Sequence, residues 1–298
     1  MNLINRLKYT LLFLIFAANS SFAQTVETDS VENALLWKIS GNGIKKPSYI
    51  FGTIHVLPKA DFFFTPAMEK AFTSCKELIM EVDMEITPEL QMQMVQGMML
   101  PDGKSLADYM NKADYDKYMI YLKDSLKLSP LNLFLIPKIK PLFSFTLILQ
   151  DKLSEPVSFE QYFQKLAKKQ KMKISGLESL QEQMDIINSI PVEEQVALIT
   201  DSTAYDADVL KGYYEMVDWY KAQEINKLKD AADDEKLIRK YSDRLISNRN
   251  KYWISIIEEK IKKHPCFIAI GAGHLTGNDG LIKLLRAIGY KLEPVKIF

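Results

Sequence analysis

The sequence predicts an α/β or α+β fold: a central mixed sheet formed by the N- and C-terminal segments, with a large helical insertion over about 87–250. Three observations point there. Short apolar runs bounded by glycine and turn residues lie near both ends of the chain; the text between them carries mixed charges at helical spacing; and two of the apolar runs end in the same Gly-x-x-His pattern, Gly52 to His55 and Gly271 to His274.

The first residues read as a targeting segment. Arg6 and Lys8 make a positive start, residues 9–18 are an apolar run too short to span a bilayer, and Ser21-Phe22-Ala23 offers a cleavage site. Residues 1–23 are therefore expected to be an export signal, with Gln24 opening the exported chain and a periplasmic or secreted destination. Residues 35–40 and 48–54 flank the turn Gly41-Asn42-Gly43 and predict a β-hairpin. A short helical pattern at 66–74 precedes a strand at 77–83, and Thr87-Pro88-Glu89 is a helix-start signal. The helical text that follows is interrupted by a strand-like run, 172–176, ending at Gly176. Apolar residues 131–149 predict a buried helix or helix pair, because Pro137, Lys138, Lys140 and Pro141 break any membrane span. His264-Pro265 ends a long helix; a strand at 266–270, a helix at 279–287 and a last strand at 290–297 complete the chain, 24–298 forming one domain.

Composition narrows the partners. Lys and Arg total 38 against 38 Asp and Glu, so nothing suggests nucleic acid, and the run Lys168, Lys169, Lys171, Lys173 reads as a solvated helix face. No transmembrane segment is expected once the signal is removed. Cys75 and Cys266 have no CxxC context, which gives no support for a zinc-thiolate site; two buried free thiols are the expected state, a disulfide the alternative. Met92, Met94, Met98 and Met99 read as core packing, with a substrate groove or a partner surface as the alternative.

The three histidines divide unequally. His55 and His274 each follow an apolar strand and a glycine, at the strand end where open α/β sheets bind ligands, and each can project its imidazole into such a crevice as metal ligand or general base. His264, beside a proline at a helix end, reads as a surface or capping residue. In Met80-Glu81-Val82-Asp83, alternation puts Glu81 and Asp83 on one face, and a glutamate within an apolar strand is costly unless paired or metal-bound. Glu81 is therefore the leading acid, with Glu85 expected in solvent. His55, Glu81 and His274 make a three-ligand set of the kind that leaves positions open on a divalent metal, with Zn²⁺, Mn²⁺ or Co²⁺ all compatible. Glu178 could reach the same crevice or simply start a helix. Arg249 could hold a carboxylate or an oxyanion, but on its own reads as a surface arginine.

Taken in order, Leu36-Trp-Lys-Ile-Ser, Tyr49-Ile-Phe-Gly-Thr-Ile-His-Val, Met80-Glu-Val-Asp, Gly176-Leu-Glu-Ser-Leu-Gln-Glu-Gln, Arg249-Asn250 and Gly271-Ala-Gly-His-Leu-Thr-Gly-Asn-Asp-Gly resemble the TraB/GumN family, relatives of the Tiki proteases. The resemblance runs from about residue 36 to 295. It implies a fold related to erythromycin esterase and the haem-binding ChaN proteins, and metal-dependent hydrolysis of a peptide or protein substrate. It places His55, Glu81 and His274 at the centre of the site and adds Arg249, Asn250 and Glu178. The alternatives it leaves open are a metal-independent, erythromycin-esterase-like hydrolase and a haem- or metal-binding module without turnover.

Overall fold

The computed structural model describes residues 30–82, 88–200 and 209–298, so the export signal at 1–23 and the expectations for Asp83, Glu85 and Thr87 lie outside the described residues. Among the described residues eight strands follow in chain order: β1 (Leu36–Gly41), β2 (Ser48–Thr53), β3 (Leu57–Pro58), β4 (Glu77–Val82), β5 (Pro156–Val157), β6 (Lys173–Glu178), β7 (Cys266–Gly271) and β8 (Tyr290–Pro294). Six of them build a mixed sheet in the order β6-β4-β7-β2-β1-β8, and β3 with β5 forms a small second sheet.

The expected hairpin is present. β1 and β2 pair antiparallel with Leu36 opposite Phe51, and the chain reverses where Gly41 (φ 82), Asn42 (φ 43) and Gly43 (φ 81) all adopt the left-handed region, which glycine and asparagine tolerate. β2, β7, β4 and β6 are mutually parallel, so their carboxyl ends share one edge of the sheet. One strand differs in origin from expectation: β6 comes from inside the helical insertion and forms the edge beside β4. Leu78 pairs with Ile174 there, across a connection long enough for parallel pairing.

Aromatic rings fix one layer over the sheet. Helix Phe159–Lys169 sets Phe159 and Phe163 5.2 and 5.6 Å from Phe51, and Phe163 lies 5.0 Å from Phe267 of β7. Helix Asn248–Lys263 buries Trp253, Ile257 and Ile261 in the same core. A second apolar cluster, built from insertion helices around Leu106, Leu122, Ile136 and Phe143, meets the sheet at Val82, the end of β4. The carboxyl edge of the parallel strands thus lies where the two cores join.

Residues 131–149 form a helix pair, Pro130–Leu135 and Pro141–Lys152, joined by a 3₁₀ turn, Ile136–Lys138. Among the described residues no helix is long and apolar enough to cross a membrane. Cys75 and Cys266 are buried free thiols. Met94 and Met98 are core residues, whereas Met92 is exposed, so the core reading holds for part of that run.

Candidate active site

Parallel pairing of β2 with β7 sets Thr53 opposite Gly271, so the two Gly-x-x-His motifs stand side by side at the carboxyl edge. Their glycines do different work. A Cβ on Gly52 would lie 2.7 Å from Leu275 Cδ1 and 3.0 Å from the Ala272 backbone, so Gly52 permits the close packing of β2 on the turn after β7. A Cβ on Gly271 would instead point into the site, 3.2 Å from Glu81 Oε1 and 3.7 Å from both His55 Nε2 and His274 Cδ2. After Gly271 the chain makes a single 3₁₀ turn, Ala272–His274, which returns His274 toward the sheet edge, fully buried.

Glu81 is the hub. Its Oε1 accepts from the Gly271 backbone N–H at 2.8 Å, and its Oε2 accepts from Arg249 Nη2 at 2.6 Å and Gln183 Nε2 at 3.3 Å. Burial alone would raise this carboxyl, but Arg249 and the two histidines outweigh it and hold it down at about 2. Glu178, at the carboxyl end of β6, accepts from Arg249 Nη2 at 2.7 Å, Arg249 Nε at 3.2 Å, Trp253 Nε1 at 3.2 Å and Gln183 Nε2 at 3.2 Å. Its pKa is raised, by burial first and by the neighbouring Glu81 charge, against the pull of Arg249. The helix that begins at Leu180 is capped by Ser179 and Glu182, so Glu178 belongs to the crevice and is not a helix-start acid.

Arg249 is likewise a buried bridge, which corrects the reading of it as a surface arginine; its guanidinium also lies 4.6 Å over the Trp253 ring. The reason is positional: the helical segment Asn248–Lys263, which continues without a break from the π turn Asp243–Ser247, passes this edge and buries Arg249 and Asn250 against the crevice. Arg249 Nη1 donates to His274 Nε2 at 3.2 Å. Arginine can only donate, so this contact assigns the His274 proton to Nδ1, which donates to Asn250 Oδ1 at 2.6 Å. Asn250 is oriented in turn by donating to the backbone oxygens of His274 and Asp279 at 3.2 and 2.7 Å. Burial, then the Arg249 charge, push the His274 pKa down to about 3, so the ring is neutral.

His55 has a partner that the sequence did not single out, Glu160. Glu160 Oε1 accepts from His55 Nδ1 at 2.8 Å and from Thr53 Oγ1 at 2.6 Å, while Oε2 accepts from Ser158 Oγ at 2.6 Å. Burial works against the protonated imidazole, yet Glu160 outweighs it and the His55 pKa is raised. In Ser158-Phe159-Glu160 the only sequence signal was a serine before an acid, which any helix start can show. Gln183 was also passed over, although it ends the quoted Gly176 to Gln183 run. Both of its amide hydrogens face carboxylates, and its Oε1 is buried without a hydrogen-bond partner among the described residues, an acceptor left for a water or a substrate amide.

His55, Glu81, Gln183, Arg249 and His274 line a cleft of about 310 Å³ of non-atom space, part of it open solvent. Each histidine spends its Nδ1 on an oxygen acceptor, the pattern of a metal ligand or of an oriented base; His55 keeps Nε2 for the site, whereas Nε2 of His274 already accepts from Arg249. In kind, two Nε2 atoms and a carboxylate suit a divalent cation. In charge, Arg249 competes with a cation for Glu81 and His274, whose Nε2 and Oε1 lie 3.9 Å apart. A tighter Glu/His/Cys group among the described residues is Glu77, His264 and Cys266, with ligand atoms within 4.8 Å of one another. It sits at the amino ends of β4 and β7, the opposite end of the strands. There Lys260 and Ser175 already bond Glu77 at 2.9 and 2.6 Å, His264 does so at 2.6 Å, and burial, then Glu77, push the Cys266 thiol up to about 12.

The profile described as the TraB/PrgY/gumN family matches residues 35–294. The chain belongs to this family. It is 21% identical over 325 residues to a protein named Metalloprotease TIKI homolog from Nematostella vectensis, covering 89% of this chain and 67% of the relative. It is 20% identical over 316 residues to Metalloprotease TIKI2 of Danio rerio, covering 88% of this chain and 61% of the relative, so the match leaves a third or more of each relative's length unspanned. No solved structure matches the chain.

Proposed function

We propose that this chain is an exported hydrolase that cleaves peptide bonds at the His55–Glu81–His274 cleft with the help of a divalent cation. The observation that carries the reading is the convergence on the Gly271 α-carbon: the Cβ position there is 3.2 Å from Glu81 Oε1 and 3.7 Å from His55 Nε2 and from the His274 ring. Relatives named as metalloproteases support the same reaction class. His55, Glu81 and His274 would hold the cation, Mn²⁺, Co²⁺ or Zn²⁺, which when bound supplies Lewis-acid activation of water and of the scissile carbonyl.

The chain's own groups divide the remaining work. Glu160 orients His55 through Nδ1, and Asn250 orients His274 in the same manner. Gln183 Oε1 is the acceptor for the attacking water or for a substrate N–H. Arg249, anchored on Glu178, offers positive charge to the oxyanion that forms when water adds to the carbonyl carbon. The proton released by the water passes to a basic group of the cleft and on to the departing amine, leaving a carboxylate and an amine as products.

One observation favours a second reading. Arg249 Nη1 stands 3.2 Å from His274 Nε2, where it serves a metal-free site in which His55, paired with Glu160, activates water directly. Elemental analysis and peptide hydrolysis on purified protein, with and without chelator, decide between them. About one divalent ion per chain, with activity lost on chelation and in both His55→Ala and His274→Ala, is expected. Activity intact in His274→Ala would sink the metal reading, and activity surviving exhaustive chelation with His55 still essential would establish the metal-free one.

A further inference from the structure

Two cavities meet at His55. One is the polar cleft. The other, about 640 Å³ of non-atom space, part of it open solvent, also touches His55 and Gly271 and is walled by Ile54, Val56, Phe145, Leu149, Met216 and Leu228. Tyr213 and Tyr220 line it as well, but their hydroxyls donate to the backbone oxygens of Val56 and Gly52, each at 2.8 Å. The Thr53 hydroxyl on the same wall donates to Glu160. The proton of every side-chain hydroxyl on this wall is therefore spent, and a charged group entering the cavity would shed its water with no ionisable side chain other than His55 to meet it.

We propose that this cavity is the specificity pocket of the site, holding a bulky apolar side chain such as that of Leu, Met or Phe from the substrate residue beside the scissile bond. The proposal rests on the hydrolase reading for the position of that bond and on the cavity's chemistry for the residue chosen. The backbone of a bound peptide passes His55 and Gly271, one of its side chains fills the apolar space, and the carbonyl lies in the polar cleft. Apolar pockets discriminate by roughly tenfold or more for each methylene present or missing. The preference should run Phe and Leu over Ala, with Asp and Lys poorest. A linear acyl chain shares the chemistry, but the ring-lined walls suit a short, branched or aromatic group better.

The test separates binding from turnover. Saturation-transfer NMR titrations would compare the N-acetyl amides of Phe, Leu, Ala, Asp and Lys, together with octanoyl-glycinamide, against the wild-type protein and Met216→Trp, which narrows the cavity without touching the cleft. Phe and Leu amides are expected to bind at least tenfold more tightly than Ala or Asp, and Met216→Trp to remove that margin while leaving the Ala amide unchanged and the thermal midpoint within a few degrees. If Met216→Trp does not fold, Leu149→Ala replaces it and should shift the preference toward the N-acetyl amide of Trp. Equal affinities across the amides, a margin that survives in a folded variant, or octanoyl-glycinamide bound in preference to Phe and Leu would overturn the pocket. Hydrolysis of a peptide library by the wild type is read in parallel. Binding in the expected order without hydrolysis overturns the hydrolase reading alone, whereas hydrolysis with no apolar preference overturns the pocket alone.

Discussion

Nδ1 of His55 lies 2.8 Å from Oε1 of Glu160, a contact that joins the loop after β2 to the first turn of a helix 105 residues later in the chain. Phe159 and Phe163, on either side of Glu160, lock that helix against Phe51 of β2, so the carboxylate is held where the histidine needs it. Replacing Glu160 with Gln removes the charge and leaves the shape. Hydrolysis should fall roughly a hundredfold or more in kcat with KM little changed, and Glu160→Asp should recover part of the loss. A proportional change in KM with kcat intact would contradict this role.

The paired glycines can be told apart by alanine. Gly271 has an ordinary backbone (φ −54, ψ 135), so Gly271→Ala should keep the thermal midpoint within a few degrees while its methyl crowds Glu81 and His55 and lowers metal binding and activity at least tenfold. Gly52→Ala collides with Leu275 and the Ala272 backbone and should cost stability by about 1–3 kcal/mol. Denaturant unfolding with metal titration checks both.

Arg249 neutralises two buried carboxylates at once, at 2.6 and 2.7 Å. Arg249→Met should destabilise the fold by about 3–5 kcal/mol, because Glu81 and Glu178 are then left unpaired, and Arg249→Lys should rescue little, since a single ammonium lacks the fork that spans both acids. Adding Glu178→Gln to Arg249→Met should recover part of the loss. Chemical denaturation of the wild type, Arg249→Met, Glu178→Gln and the double variant measures this, and additive effects in the double variant would refute the coupling.

At the other end of β4, burial would raise the Glu77 carboxyl, but Ser175, Lys260 and His264 hold it down at about 2, below its ordinary 4.5. A depressed acid stabilises the fold above its unfolded pKa and loses that contribution as pH falls toward the folded value. Stability should therefore decline from about pH 4.5 to about pH 2, by on the order of 3 kcal/mol for this group. Glu77→Gln should be less stable near neutral pH, and its unfolding free energy should show a shallower fall through that window.

The sequence by itself determined the strands at both ends, the hairpin, a buried helix or helix pair over 131–149, the family, the two histidines as strand-end residues and Glu81 as an acid within an apolar strand. All of these are written locally, in alternation, glycine turns and apolar runs that need no knowledge of distant neighbours. Only the tertiary structure decided that β6 leaves the insertion to join the sheet, that Arg249 is a buried bridge rather than a surface residue, and that Glu160 is the partner of His55. Each of those depends on contacts across roughly seventy residues or more of chain, and a charged residue looks the same in a sequence whether it will meet water or an opposite charge in the core.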